Sequence, residues 1–107
     1  MLKIIKFTSN TPYSTVVNIN GSLVRLNVRF NETYNSYYFD VEKMVQGKYV
    51  NIVNSVMLTT GTDLFKRYPE YDLGEMWIVP YVEEYYNQNP QAENIKNYVM
   101  WMVMDNG

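Results

Sequence analysis

The chain contains no cysteine and no histidine. Thiol chemistry, imidazole acid–base catalysis and nearly every zinc or redox-metal site are therefore excluded at the level of residue types. Carboxylates remain, and the acidic candidates are Asp63, Asp72, Glu75, Glu83 and Glu84. A pair of them can hydrolyse a glycosidic bond, but only across a substrate cleft and at a set separation. A small chain with a filled β core leaves little room for such a cleft. Glu83-Glu84 lies in a polar stretch and reads as a solvated pair, while Asp63 reads as a cap. No Asp-x-Asp-x-Asp-Gly calcium loop occurs. Gly61 is a lone glycine before a short predicted helix; it supplies a backbone conformation that a Cβ would hinder, not a phosphate cradle. The residue types thus predict no catalytic residue, no metal site and no cofactor.

Binding chemistry is better represented. There are 11 tyrosines, and tyrosine favours strands and interfaces because a large apolar ring carries one polar handle. Arg25 and Arg29 share one predicted strand face, with Tyr38 beside them on the next strand. Small barrels stack bases on such aromatics. A net charge of −2 and a pI of about 5.0 favour the plainer reading, a solvated sheet face. Carbohydrate binding through Tyr and Trp is left without any marking spacing. Asparagine is also frequent, and its preference for turns accounts for that without a functional role.

The elements that must position these residues read as strands. A length of 107 residues, 47% hydrophobic and 19% charged, describes one folded domain spanning 1–107. No apolar run approaches the roughly 20 residues of a membrane span, and the N-terminal apolar stretch is too short for a signal peptide. Asn20-Gly21 suits a type I′ turn because both residues accept positive φ. A two-residue hairpin there pairs Ile19 with Ser22, Val17 with Val24, Thr15 with Leu26 and Tyr13 with Val28, all on one mainly apolar face. A loop near Glu32–Asn35 continues the meander with Phe30 opposite Tyr37, Val28 opposite Phe39 and Leu26 opposite Val41. Gln46-Gly47 turns into a strand from Tyr49 to Leu58, whose alternation breaks where a bulge near Asn54-Ser55 is expected. Ile4 to Thr8 forms a further strand.

Beyond Leu58 the pattern changes. Thr60 to Pro69 predicts a tight turn and one or two helical turns, capped by Thr62 or Asp63 and stopped by Pro69. Gly74 to Val79 is a strand that Pro80 ends, Pro90 opens a short helix through Lys96, and Tyr98 to Met104 is the last strand. That strand is apolar on both faces: Tyr98, Met100, Met102 and Met104 on one, Val99, Trp101 and Val103 on the other. Either it is a central or covered strand, or one face meets another subunit. Tyr81, Tyr85 and Tyr86, among polar residues in 81–97, together with Trp101 or Met102, are the candidate protein-interface residues. The expected fold is an all-β antiparallel barrel or sandwich of about six to seven strands with one or two short helices.

Met57-Leu58-Thr59-Thr60-Gly61-Thr62-Asp63-Leu64-Phe65, followed by Tyr68 and then by Leu73-Gly74-Glu75-Met76-Trp77-Ile78-Val79, carries a resemblance. The sequence resembles the small baseplate plug proteins of contractile-tailed bacteriophages, the cyanophage-type plug family. The strand–turn–strand start around Asn20-Gly21 and the aromatic strand Tyr37-Tyr38-Phe39-Asp40 fit the same pattern, which spans residues 13–104. The longer 81–97 segment, with Asn87-Gln88-Asn89-Pro90, departs from it. The resemblance implies a virion structural protein, made and assembled in the host cytoplasm. It would sit at the junction of tail tube and baseplate hub, oligomeric in the particle and packed on hub and tube proteins. It implies no activity, no cofactor, no membrane and no specific nucleic acid. The alternatives that the residues leave open are a small β-barrel binding module for nucleic acid or glycan, and an enzyme accessory subunit.

Overall fold

The computed structural model describes residues 2–7 and 13–104. Their strands are β1 (Leu2–Lys6), β2 (Tyr13–Ile19), β3 (Ser22–Asn31), β4 (Ser36–Val45), β5 (Lys48–Met57), β6 (Glu75–Pro80) and β7 (Tyr98–Val103). They form two antiparallel sheets, one of order β2-β3-β4-β5 and one of order β1-β7-β6. The sheets face each other across one core, so the arrangement is a sandwich and not a closed barrel. β1 starts earlier than the expected Ile4–Thr8 strand, and Thr8 lies outside the described residues.

Turn chemistry sets the register of the larger sheet. Asn20 and Gly21 both take positive φ (52° and 88°), as a type I′ hairpin demands. The Asn18 carboxamide oxygen accepts the Gly21 N–H at 3.1 Å, which holds the turn. Tyr13 then faces Val28, Thr15 faces Leu26 and Val17 faces Val24. On the next ladder Val28 faces Phe39 and Leu26 faces Val41. Gln46-Gly47 repeats the positive-φ pair (50° and 81°) between β4 and β5. The β4–β5 register slips on either side of Val41, and Ser55 at φ 57° marks one extra residue. The bulge lets Val53 and Val56 stay on the core side despite the broken alternation.

The inner faces fill the space between the sheets. Leu26, Val28, Phe39 and Val41 come from the large sheet; Met76, Ile78, Met100 and Met102 come from the small one, and all eight are buried. Each such side chain contributes about 1.5–3 kcal/mol on removal from water. Leu58, Leu64, Phe65 and Leu73, from the connection between β5 and β6, close one end of this core. Phe65 meets Phe39 edge-on at 6.1 Å between ring centroids. No α-helix forms among the described residues. The expected helix after Asp63 is a turn at 64–67 followed by a single 3₁₀ turn at Pro69–Tyr71, and that expected from Pro90 is a 3₁₀ turn at Ile95–Asn97.

Gly74 is where the connection meets the small sheet. Its φ is +75°, and a Cβ there would lie 2.2 Å from the Val103 carbonyl oxygen. Gly61 also has positive φ (+79°), but a Cβ there would meet nothing within 4 Å. Only the first position combines backbone strain with a collision against main chain, which cannot rotate away. Gly74→Ala is expected to cost more than the roughly 1–2 kcal/mol of left-handed strain that Gly61→Ala incurs. Thermal denaturation of the two variants checks this: Gly74→Ala should melt clearly below Gly61→Ala, and Gly61→Ala only a few degrees below the parent chain.

Candidate functional site

Three surfaces could carry function. The first is the outer face of the large sheet, with the two arginines singled out from the sequence. Arg25 makes a two-pronged pair with Glu42, both bonds at 2.9 Å, and its guanidinium lies 4.2 Å from the Tyr49 ring centroid. Arg29 makes the equivalent pair with Asp40 at 3.2 and 3.4 Å and lies over Tyr38. Asn27 donates to Glu42, Ser14 donates to Asn27, and the Ser55 N–H at the bulge reaches Asp40 at 2.7 Å. Each cation of this face therefore has an intramolecular carboxylate. The face is a cross-strand polar ladder and offers phosphate no uncompensated charge. The expected register already carried this signal, because Leu26 opposite Val41 places Arg25 opposite Glu42.

The second surface is the end of the sandwich where the β5–β6 connection meets residues 81–97. Asp63 caps the turn at 64–67 as expected, although that turn is not a helix. One carboxylate oxygen accepts the N–H of Phe65 and that of Met76, both at 3.0 Å, so it ties the connection to β6. The Leu64 N–H adds a 2.8 Å bond to the Met76 carbonyl. A shallow cleft of about 380 Å³ lies alongside, bordered by Ser55, Thr62, Asp63, Arg67 and Tyr68. It holds one carboxylate, already engaged by two N–H groups, so it lacks a second for hydrolysis.

The 81–97 segment is held down by asparagines. Asn35 accepts the Ala92 N–H at 3.0 Å and donates to the Glu93 carboxylate at 3.1 Å. Asn89 accepts the Thr60 N–H, and buried Asn94 accepts the Gln91 N–H at 2.6 Å. The Tyr98 hydroxyl donates its one proton toward the Gln88 carbonyl at 3.0 Å, with the Tyr85 carbonyl at 3.3 Å sharing it. Burial raises the Tyr98 phenol above its ordinary pKa, with Tyr85 adding to the shift. The Asn35 bond holds Glu93 below the usual carboxylate range. Asp72, Glu83 and Glu84 are exposed, the last two adjacent in one 3₁₀ turn, and among the described residues no group of three or more acidic side chains could hold a metal ion.

The third surface is the outer face of the small sheet. Register places Leu2, Val103 and Glu75 in one row, Ile4, Trp101 and Trp77 in the next, and Lys6, Val99 and Val79 in the third. Leu2 is 50% exposed, Ile4 53%, Trp101 39% and Val103 37%. Tyr81, 57% exposed, extends the β6 column, because its N–H keeps the ladder with the Asn97 carbonyl at 2.8 Å. β7 is thus a central strand with one face in the core; on the other, Trp101 and Val103 are exposed while Val99 is buried.

The candidate interface residues separate accordingly. Tyr81 and Trp101 belong to this face. Tyr86 is exposed on the 81–97 segment. Tyr85 is half-buried, its ring 6.0 Å from that of Tyr98. Met102 is fully buried, because strand alternation that presents Trp101 outward turns Met102 inward; it belongs to the core and not to any outer surface. Ile4, Leu2 and Trp77, which complete the exposed face, were not singled out from the sequence. The pairing of the first and last strands that brings them together carries no local signal.

Comparison with known proteins gives one family. The family described as cyanophage baseplate Pam3 plug gp18 matches residues 2–106. No curated protein matches the chain.

Two outcomes follow from this geometry. Asp63→Ala leaves the buried Met76 N–H without its acceptor, and a loss of about 1–3 kcal/mol is expected. Asp63→Asn keeps a carbonyl oxygen in place and should recover most of it; chemical denaturation of both variants is the check. The second outcome concerns acid. The Arg25 bond holds the Glu42 carboxyl below its ordinary range, assisted by Asn27. Burial pushes Asp40 up, but Arg29 and the Ser55 N–H outweigh it and leave the group lowered. Lowered carboxylates stabilise the fold fully above the ordinary range near pH 4 and lose that contribution as pH falls through the folded-state values. The melting temperature should therefore be flat from pH 7 to about 5 and fall below about pH 4. Glu42→Gln should lower the plateau and flatten the acid limb.

Proposed function

The chain belongs to the cyanophage baseplate plug family and is a structural component of the virion tail baseplate; from that premise we propose that it acts as a non-enzymatic plug at the distal end of the tail tube. It interacts with other tail components, as membership in the family implies. In the proposed arrangement those neighbours are the hub and tube proteins, and the plug helps to close or organise the distal channel. It is made in the host cytoplasm, with residues 1–107 acting as one β domain. The observation that carries this reading is the family match over nearly the whole chain. The open apolar face around Trp101 supports it, because such a patch suits a subunit of an assembly better than a free protein. Tyr81, Tyr86 and Trp101 make the contacts with other chains, with Tyr85 bracing the segment from below. The nucleic-acid alternative is weakened by the paired state of Arg25 and Arg29.

A density map of the intact tail tests the proposal. The chain should occupy the axis where tube meets hub, with Tyr86 and Trp101 buried against other chains. Density confined to the outside of the baseplate would refute it. Single Glu75→Gln, Glu83→Gln and Glu84→Gln virions should keep any peptidoglycan- or polysaccharide-cleaving activity of the particle unchanged. Loss of that activity in a variant that still folds and assembles would overturn the non-enzymatic role.

A further inference from the structure

The outward positions of β1, β7 and β6 are apolar except for two charged side chains, Lys6 and Glu75; Val99 among them is already buried, and Leu2, Ile4, Trp101 and Val103 make up the exposed apolar part. They occupy diagonally opposite corners of the three-row block, beyond which Tyr81 extends the face on the β6 side. Lys6 stands on β1 in the row of Val99 and Val79, while Glu75 stands on β6 in the row of Val103 and Leu2. Trp101 is at the centre, flanked by Ile4 and Trp77. The Glu75 carboxylate accepts the Trp77 indole N–H at 3.0 Å and is thereby fixed at its corner.

This layout is self-complementary. A two-fold axis lying in the plane of contact reflects one face onto its copy. An axis through Trp101, perpendicular to the Lys6–Glu75 diagonal, sets Lys6 of each copy over Glu75 of the other and brings the two Trp101 side chains together. The face measures about 10 Å across the strands and about 14 Å along them between outer Cα positions, and with those spacings the strands of the two copies cross at about 70°. That angle lies near the orthogonal class of sheet packing. An axis parallel or perpendicular to the strands would instead put each charge against an aliphatic residue.

We propose that a second copy of this chain covers the outer face of the small sheet, forming an isologous pair centred on Trp101 and registered by two Lys6–Glu75 ion pairs. The inference rests on the proposed function only in taking the Trp101 face as an interface; it adds the identity of the occupant. A face of this size falls at the low end of specific interfaces, so the pair is weak and concentration-dependent in free solution. The carboxylate and ammonium set orientation, and the apolar centre supplies the driving force.

Sedimentation equilibrium of the purified full chain over a wide concentration range tests it. The parent chain should show a reversible monomer–dimer equilibrium. Lys6→Glu and Glu75→Lys should each raise the dimer dissociation constant at least about tenfold, since symmetry places like charges together twice. The double reversal should restore association to near the parent value. Trp101→Ser should abolish it, with the melting transition retained as evidence of folding. A parent chain that stays monomeric at the highest concentration, or single reversals that act without rescue by the double, would overturn the proposal. If the pair fails in solution while Trp101 is buried by a hub or tube protein in the tail map, the self-pairing is wrong and the plug role stands. A dimer that forms although the chain lies outside the tail axis would separate the two the other way.

Discussion

The last strand has three demands placed on it at once: a neighbour on each edge and a core on one face. β7 pairs β1 on one side and β6 on the other, so the small sheet exists only through it. Its inward Tyr98, Met100 and Met102 are fully buried. Methionine suits this role because an unbranched, polarizable side chain fills irregular space between two sheets of different strand number. The same alternation fixes the outward residues, which leaves Trp101 and Val103 on the surface. The close approach at Gly74 is a further consequence, because the chain entering β6 must pass the carbonyl at the end of β7.

Around that strand, order in the loops comes from side-chain amides and one carboxylate more than from regular structure. Asn35, Asn89 and Asn94 satisfy backbone N–H groups that neither sheet nor helix could reach. Asp63 does the same at two N–H groups from different elements. A 3₁₀ turn leaves more main-chain groups unpaired than a longer helix would, and buried polar groups without partners are costly. The abundance of asparagine thus has a structural use. The 81–97 segment, long for a loop, is pinned at several places along its length and closes the end of the core beneath Tyr85 and Tyr98.

The chemistry of the surface agrees with a role in assembly. On the outer face of the large sheet Arg25 and Arg29 are each taken up by a cross-strand carboxylate. That face is solvated, oriented and electrically quiet. The small sheet presents aromatic and aliphatic side chains with a cation and an anion at opposite corners. A baseplate component has to be recognised by its neighbours in one orientation, and an apolar centre with sparse charges at its margins provides both attraction and register.

The sequence by itself determined the large sheet. The Asn20-Gly21 turn, the alternation on both flanking strands and the bulge at Asn54-Ser55 are local signals, each interpretable within a dozen residues, and the register observed on β2, β3 and β4 follows from them. It also determined the absence of thiol and imidazole chemistry, since residue types alone decide that. Tertiary structure decided the rest. Whether the sheets close into a barrel depends on the pairing of β1 with β7, which joins opposite ends of the chain and leaves no periodic trace. Met102 and Trp101 sit in equally apolar surroundings in the sequence, and only the position of the second sheet makes one of them core and the other surface. Asp63 is legible as a cap, but its second bond, to the Met76 N–H, exists only once β6 is brought beside it. Gly74 is an ordinary strand-initial glycine until the Val103 carbonyl stands where its side chain would be. Short-range pattern specifies which groups share a face of one sheet. What lies against that face is set by contacts between segments far apart in the chain, and these exist only once the core has closed.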